Sequence, residues 1–524
     1  MSSNLDNQGT TPVPPNKALL QLVSGSAPRR LTLPLFLHFL YVFLPNLLFV
    51  LPARLLWHHL IYRWRSPVAK IGRPVYSDFV VKLSQYILSR CTAAEARIIF
   101  NRTVAYDITF KGPQFAGFRD WVAPVDVKGV QGRWIAPPGT KRREDDVVLY
   151  FIHGGGFVLD TAGNAQVFFL QLAKELNLRR KVQFSVFAID YELAPEFKYP
   201  SQLIEVQAGY HYLVNTLGID ESKICVSGDS AGGNLALTFL MHLARPNPRI
   251  KVPESLGPVP KRPGAAFLIS PMVNLASSHP SRRSGNEFDY IEDGGAYRVG
   301  LDYIGQPPLR ENVPSFNPVF WFKMPHPAPP PHVLAQKKPW TGTEGEGLDL
   351  LWSPYVNPSV NEDLDWWKEA LPGDGRTLVS WGGKEVFADD IEHFMCAAEE
   401  AGVSPERLVK PLGAHDWVLY DSFIPGVWDT YTKGPDREKH YNVQAVATFL
   451  QETDIRRLKA QFRNQSGPSS GSNQLAPQTE GPKEPAGAEV FKEKKLMAKA
   501  EPKDDKAGRG ATPKNKPIGP GKKA

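Results

Sequence analysis

Cysteine is scarce in this chain: there are three, Cys91, Cys225 and Cys396, widely spaced and without a Cys-x-x-Cys pair. That excludes a disulfide framework and a cysteine-built zinc site, and it leaves at least one free thiol. All three read as small buried apolar residues. There is no internal repeat, which excludes solenoids and propellers. Unbalanced charge is also lacking once it is located. The formal net charge is +7, but residues 464–524 hold 12 Lys/Arg against 7 Asp/Glu, so five of the seven net positive charges sit in this tail. A basic tail with no pattern of interleaved aromatics is a solvated extension rather than a nucleic-acid arm, so nucleic acid is not an expected partner. Tethering to anionic lipid is the other use such a tail could serve.

What is present is an ordinary globular composition, 42% apolar and 22% charged over 524 residues, enough for a sizeable core but too long for one compact domain without additions. Residues 1–28 are polar, rich in Ser, Pro and Gln, and read as disordered. Residues 31–51 are strongly apolar and are followed to residue 64 by aromatics mixed with His and Arg. About 20 apolar residues suffice to cross a bilayer, and the aromatic flank suits an interface, so 29–65 is expected to be a membrane anchor, as a kinked span, a re-entrant segment or an interfacial helix. No small-residue cleavage site follows, so it does not read as a secretory signal. Basic residues lie on both sides and leave the orientation open.

A helical pattern over 77–106 falls within an N-terminal cap portion at 66–121. From 122 to 453 short apolar strands alternate with helical segments, the signature of an α/β domain with a mostly parallel sheet and helices on both faces. Strands begin near Val122, and further candidates are 147–152, 184–189, 224–227, 265–269, 377–380 and 408–410. Each is followed within three residues by Gly, Asp or Ser, at the end where doubly wound sheets place their chemistry. The alternation lapses over 277–352, an aromatic- and proline-rich insertion expected to cap the site. Residues 454–524, rich in Gly, Ser, Pro and Lys, are expected to be a disordered tail.

Two glycine-rich motifs carry the chemistry. Gly228-Asp229-Ser230-Ala231-Gly232 lies between a strand and the helical run 234–243, which puts Ser230 on a strained turn with a helix amino terminus beneath it. His153-Gly154-Gly155-Gly156-Phe157 closes the strand 147–152. Backbone amides of Gly154 and Gly155, with that of Ala231, are expected to form an oxyanion hole. No Gly-Lys-Ser/Thr follows, so a phosphate loop is the lesser reading of these glycines. His153 is expected to pin this loop. A general base must follow the serine in the chain, and His415, in the loop after the last strand candidate, is the choice. Glu385, in the loop after the strand 377–380, is the expected acid, with Asp389 as the alternative.

Together these motifs resemble the hormone-sensitive lipase family of α/β-hydrolases over about residues 122–449. The segment Asp190-Tyr191-Glu192-Leu193-Ala194-Pro195-Glu196, the pairs Ser270-Pro271 and Ser353-Pro354, and the block 385–390 add to the resemblance. That family usually has Asp where this chain has Glu385, and Gly where it has Asp416. The amino-terminal apolar segment further resembles the arylacetamide deacetylase and fungal steryl acetyl hydrolase branch. The resemblance implies an α/β-hydrolase fold and a serine esterase acting on short-acyl esters, acetyl among them, of lipophilic alcohols. It also implies anchoring in the endoplasmic reticulum membrane with a lumenal catalytic domain. The tripeptides Asn101-Arg102-Thr103 and Asn464-Gln465-Ser466 are compatible with that side. No metal or organic cofactor is called for. The alternative reading is a non-catalytic ligand-binding receptor on the same fold, which loss of the serine, base or glycine loop would mark.

Overall fold

The computed structural model describes residues 33–70, 72–91, 93–100, 109, 111, 115–127, 129–159, 162–306, 329–334, 339–423 and 440–465. The expectations for 1–28 and for the tail from 466 on, and the tripeptide at Asn101, lie outside the described residues.

Eight strands form one sheet: β1 (Val122–Val127), β2 (Val130–Ile135), β3 (Val147–Ile152), β4 (Phe184–Ile189), β5 (Ile224–Asp229), β6 (Ala265–Ile269), β7 (Thr377–Gly382) and β8 (Glu406–Lys410). Their order is β1-β2-β4-β3-β5-β6-β7-β8. The β1–β2 and β2–β4 pairs are antiparallel. Every pair from β4 through β3, β5, β6 and β7 to β8 is parallel. The central strands are buried along their whole length, which is why they read as unbroken apolar runs. Alternate residues still divide between two cores: Val148, Tyr150 and Ile152 of β3 belong to one, Val147, Leu149 and Phe151 to the other.

The described helices used below are α1 (Leu33–Pro45), α2 (Leu51–Leu56), α3 (Val75–Arg90), α4 (Ala93–Ile99), α5 (Ala162–Ala173), α6 (Ser201–His211), α7 (Ser230–Ala244), α8 (Asp293–Tyr303), α9 (Leu364–Ala370), α10 (Ala388–Glu400), α11 (Trp417–Phe423) and α12 (Tyr441–Gln465). On one face of the sheet α7 packs against β5, α6 and α9, with α10 beside α9; on the other, α5 packs against α11 and α12. Helices therefore cover both faces, as the alternating pattern required. Within the insertion, α8 packs on α3, and Arg298 of α8 donates to the carbonyl oxygens of Cys91 (2.9 Å) and Leu88 (3.2 Å). The amino-terminal helices and the insertion thus meet over the carboxyl ends of the strands.

Two expectations need correction. The chain does not lose order at 454: α12 runs on to Gln465, and past 454 Arg456 ties it down, pairing with Glu406 Oε1 at 3.1 Å and donating to the Asp374 carbonyl oxygen at 3.1 Å. Cys91 and Cys225 are buried as expected, but Cys396 is exposed; it lies on the outer side of the amphipathic α10, whose Ile391, Phe394 and Met395 face inward. Residues 36–61 form a helix long and apolar enough to cross a membrane by length and composition.

Candidate active site

β5 ends at Asp229 and α7 starts at Ser230 with no residue between them. The reversal holds Ser230 at φ +52°, a left-handed conformation that costs a non-glycine residue about 1–3 kcal/mol and persists only where the surroundings impose it. They do so here through the flanking glycines. A methyl group on Gly228 would strike the backbone of Gly232, and one on Gly232 would strike the carbonyl oxygen of Ile152. The hydroxyl therefore stands at the amino terminus of a 15-residue helix, where backbone N–H groups lack intrahelical partners and the dipole favours negative charge. The amide of Ala231, buried in this first turn, is one of those N–H groups.

His415, in the loop after β8, lines the same pocket as Ser230. Its Nδ1 lies 3.5 Å from Glu385 Oε1. Glu385 is held from three sides: besides His415, its Oε2 accepts from Ser270 Oγ (2.8 Å) and from the backbone N–H of Gly382 (2.7 Å). Asp389 is not brought to this place. Its Oδ2 accepts the backbone N–H of Ser281 at 2.7 Å, at the start of α10, so its carboxylate ties the insertion to that helix. The sequence could not separate these two carboxyls because they stand four residues apart on either side of a helix start.

His415 Nε2 makes no hydrogen bond and lies 3.3 Å from Asp416 Oδ2. Burial alone would lower the imidazole pKa, but Asp416, Glu385 and Asp289 outweigh it and raise it to about 10. Asp416 is itself pushed well above the usual carboxylate range by burial and by Asp229 and Glu385 nearby, against the pull of His415. The pair therefore retains a proton through neutral pH. Burial also raises Asp229 and Asp289 to about 6.

The glycine loop after β3 approaches from the other side. His153 pins it: the ring stacks on Tyr191 with centroids 4.1 Å apart, its Nδ1 lies 2.9 Å from the Gly154 carbonyl oxygen, and Tyr191 Oη donates to the His153 carbonyl oxygen (2.7 Å). The expectation for Gly154 does not survive. Its N–H donates to Asp229 Oδ1 at 2.8 Å, so it is already spent on a buried carboxylate. Gly155 and Gly156 turn through φ +89° and +63°, line the same pocket as Ser230 and His415, and among the described residues their amides meet no protein acceptor. The free donors stand one residue later than the motif alone suggested.

These groups share one pocket. Its remaining wall is mostly apolar: Leu88, Ala93 and Ala96 come from the amino-terminal helices, Ile291 and Val299 from the insertion, and Leu159 from the glycine loop. A hydroxyl, an imidazole backed by a carboxylate, and unspent amides around one cavity are the parts needed for nucleophilic attack on a carbonyl.

The roles of four contributors escaped the sequence. Asp289, fully buried in the insertion, accepts N–H groups of Val386 (2.9 Å) and His415 (3.2 Å), joining the acid and histidine loops. Ser270 donates to Glu385 and accepts the Asp416 N–H at 3.0 Å. Asp416 also accepts from Tyr290 Oη at 3.1 Å. No motif marks Asp289 or Tyr290; Ser270 stood next to a proline already singled out, and Asp416 in a position already seen to depart from the usual glycine.

Residues 149–338 match a protein-family model described as alpha/beta hydrolase fold. An esterase of Acinetobacter venetianus is 25% identical over 282 residues, 54% of this chain and 70% of that protein. A Schizosaccharomyces pombe protein, provisionally named a steryl acetyl hydrolase, is 26% identical over 325 residues, 61% of this chain and 71% of its own length. Hormone-sensitive lipase of Mus musculus is 37% identical over 138 residues, 26% of this chain and 16% of the lipase.

Proposed function

We propose that the chain is a carboxylic ester hydrolase of the α/β-hydrolase fold, akin to the esterases and hormone-sensitive lipase it resembles, and that it cleaves short-acyl esters of lipophilic alcohols by a Ser230–His415–Glu385 relay. The observation that carries this reading is the meeting of Ser230, His415, Gly155 and Gly156 in one largely apolar pocket.

In the first step His415 Nε2 takes the Ser230 proton as Oγ attacks the ester carbonyl carbon, and the carbonyl π electrons move onto oxygen. That oxyanion is met by N–H groups of Gly155, Gly156 and Ala231. Glu385 holds the Nδ1–H tautomer and stabilises the imidazolium. Collapse breaks the bond to the alcohol oxygen, which leaves with the proton from His415. Water then repeats the sequence on the acyl-enzyme and releases the acid. Before the first step the imidazole must give up its engagement with Asp416, so substrate entry and the state of that carboxyl set when the base is free.

The acetyl preference is supported by the name of the fission-yeast relative and the lipophilic alcohol by the pocket lining. The apolar segment 36–61 supports attachment to a membrane, with the lumenal face of the endoplasmic reticulum as the proposed setting. The receptor reading is not favoured, since serine, base, acid and glycine loop are all retained.

The test is hydrolysis of p-nitrophenyl esters from acetyl to palmitoyl by the full chain, with organophosphate labelling. Activity falling with acyl length, and labelling at Ser230, are expected. A folded protein that neither turns over esters nor takes the label would overturn the proposal.

A further inference from the structure

Residues 33–61 form one continuous helical rod: α1, a π-turn at Asn46–Val50, α2, and a second π-turn at Trp57–Ile61. At 1.5 Å per residue it is about 40 Å long. The rod does not stand free of the catalytic unit. α1 packs on α4 and α2 on α3, burying His38, Phe39, Val42, Asn46 and Leu51. Three polar ties run along it. His38 Nδ1 lies 2.6 Å from Glu95 Oε1, Tyr86 Oη donates to the Val42 carbonyl oxygen at 2.8 Å, and His59 Nε2 lies 2.9 Å from Asp78 Oδ2. Both carboxylates are buried.

The outer ties are 21 residues apart in the sequence, about 30 Å along a helix, which is the full thickness of a bilayer's hydrocarbon core. A rod tied at both ends to one globular unit cannot put those ends on opposite sides of a membrane. Spanning would strip the imidazole partners from two buried carboxylates, and breaking such buried pairs is strongly unfavourable.

We infer that this helix does not span but lies along the catalytic unit as an interfacial, one-sided lipid-binding face. The inference rests on the proposed membrane attachment and specifies its geometry. The face opposite the docked side exposes Leu33, Leu37, Leu44, Leu48, Phe49 and Leu60. At its carboxyl end Trp57, Tyr62 and Trp64 are exposed, the aromatic type that settles at headgroup depth. Arg54, Arg63, Arg65 and Lys70 are exposed there too, and from residue 33 to 77 the sequence has no Asp or Glu. That charge pattern complements anionic headgroups and repels none of them. The helices that seat the rod, α3 and α4, also supply Leu88, Ala93 and Ala96 to the wall of the Ser230 pocket. Lipid face and pocket are thus separated by about one helix thickness, roughly 10 Å, a short path for an ester dissolved in the leaflet.

The test uses the full chain carrying one epitope tag at each end, in sealed microsomes treated with protease. A one-sided helix requires that both tags share one fate, both cleaved or both protected; opposite fates overturn the inference. Recovery of the chain in the soluble fraction would instead defeat the underlying membrane reading. A second measurement uses the outward double substitution Leu48→Glu/Phe49→Glu with vesicles of phosphatidylcholine and phosphatidylserine. Co-flotation is expected to fall at least tenfold while p-nitrophenyl acetate turnover, which reports a folded catalytic unit, is unchanged. Undiminished flotation of that active variant would overturn the assignment of this face.

Discussion

His415 Nε2 lies 3.3 Å from Asp416 Oδ2, so the nitrogen proposed to take the serine proton rests against a carboxyl of the next residue in the chain. The contact depends on Asp416 adopting φ +53°, which folds its side chain back toward the imidazole, and on Tyr290 donating to the same oxygen.

The first prediction follows from that pairing. An imidazole is a base only when unprotonated, so with its pKa raised from 6.5 to about 10 kcat/KM climbs as pH rises, and its acidic limb lies above that of an ordinary histidine. Asp416→Gly removes a negative charge that raises this pKa, and glycine accepts the positive φ. The limb is expected to move down by about 1–3 units in a pH–rate profile with p-nitrophenyl acetate. A limb that stays where the wild type has it would remove Asp416 from the account.

Ser230→Ala is expected to lower kcat by about 10⁴-fold or more and to abolish organophosphate labelling, with thermal unfolding little changed. Alanine keeps the Cβ and so the same strain at φ +52°, and stability is expected to be nearly unchanged. Retention of more than a few per cent of the activity would point to a different nucleophile.

The two candidate acids separate cleanly by substitution. Glu385→Gln should cost about 10²–10⁴-fold in kcat, since the imidazolium loses its charged partner and tautomer control. Asp389→Asn, whose wild-type carboxylate is spent on the Ser281 N–H, should stay within a few-fold of wild type. Reversal of that order would return the acid to Asp389.

For the oxyanion donors, Gly155→Ala is the informative change. At φ +89° a methyl group would meet the backbone of Leu159, so the loop must shift and carry its amides away from the developing charge. A loss in kcat of about 10²–10³-fold is expected, with KM much less affected. An equal rise in KM with kcat preserved would mean that the loop binds substrate without stabilising the transition state.

The strands at 147–152, 184–189 and 265–269 were legible to the residue because parallel strands covered on both faces must be apolar throughout. β2 was not separated from its surroundings: as VQGRWI, an antiparallel strand near the sheet edge, it carries polar side chains that hide it. The placement of Ser230 between strand and helix and of His415 after the last strand was legible because both motifs are local. Which glycine amides remain free was not, because the deciding group is Asp229, 75 residues from Gly154 and brought to it by the parallel pairing of β3 with β5.

By itself the sequence determined the α/β alternation, the placement of Ser230 between strand and helix and of His415 after the last strand, and an apolar segment ahead of them, since each follows from short-range periodicity and local turn chemistry. Only the tertiary structure decided which carboxyl backs His415, that a second one rests against its other nitrogen, and that the apolar helix is tied at both ends by His38 and His59. Those outcomes depend on directional contacts of a few ångströms between segments remote in the chain, or on how a loop turns its side chains, and hydrophobic periodicity carries no record of either.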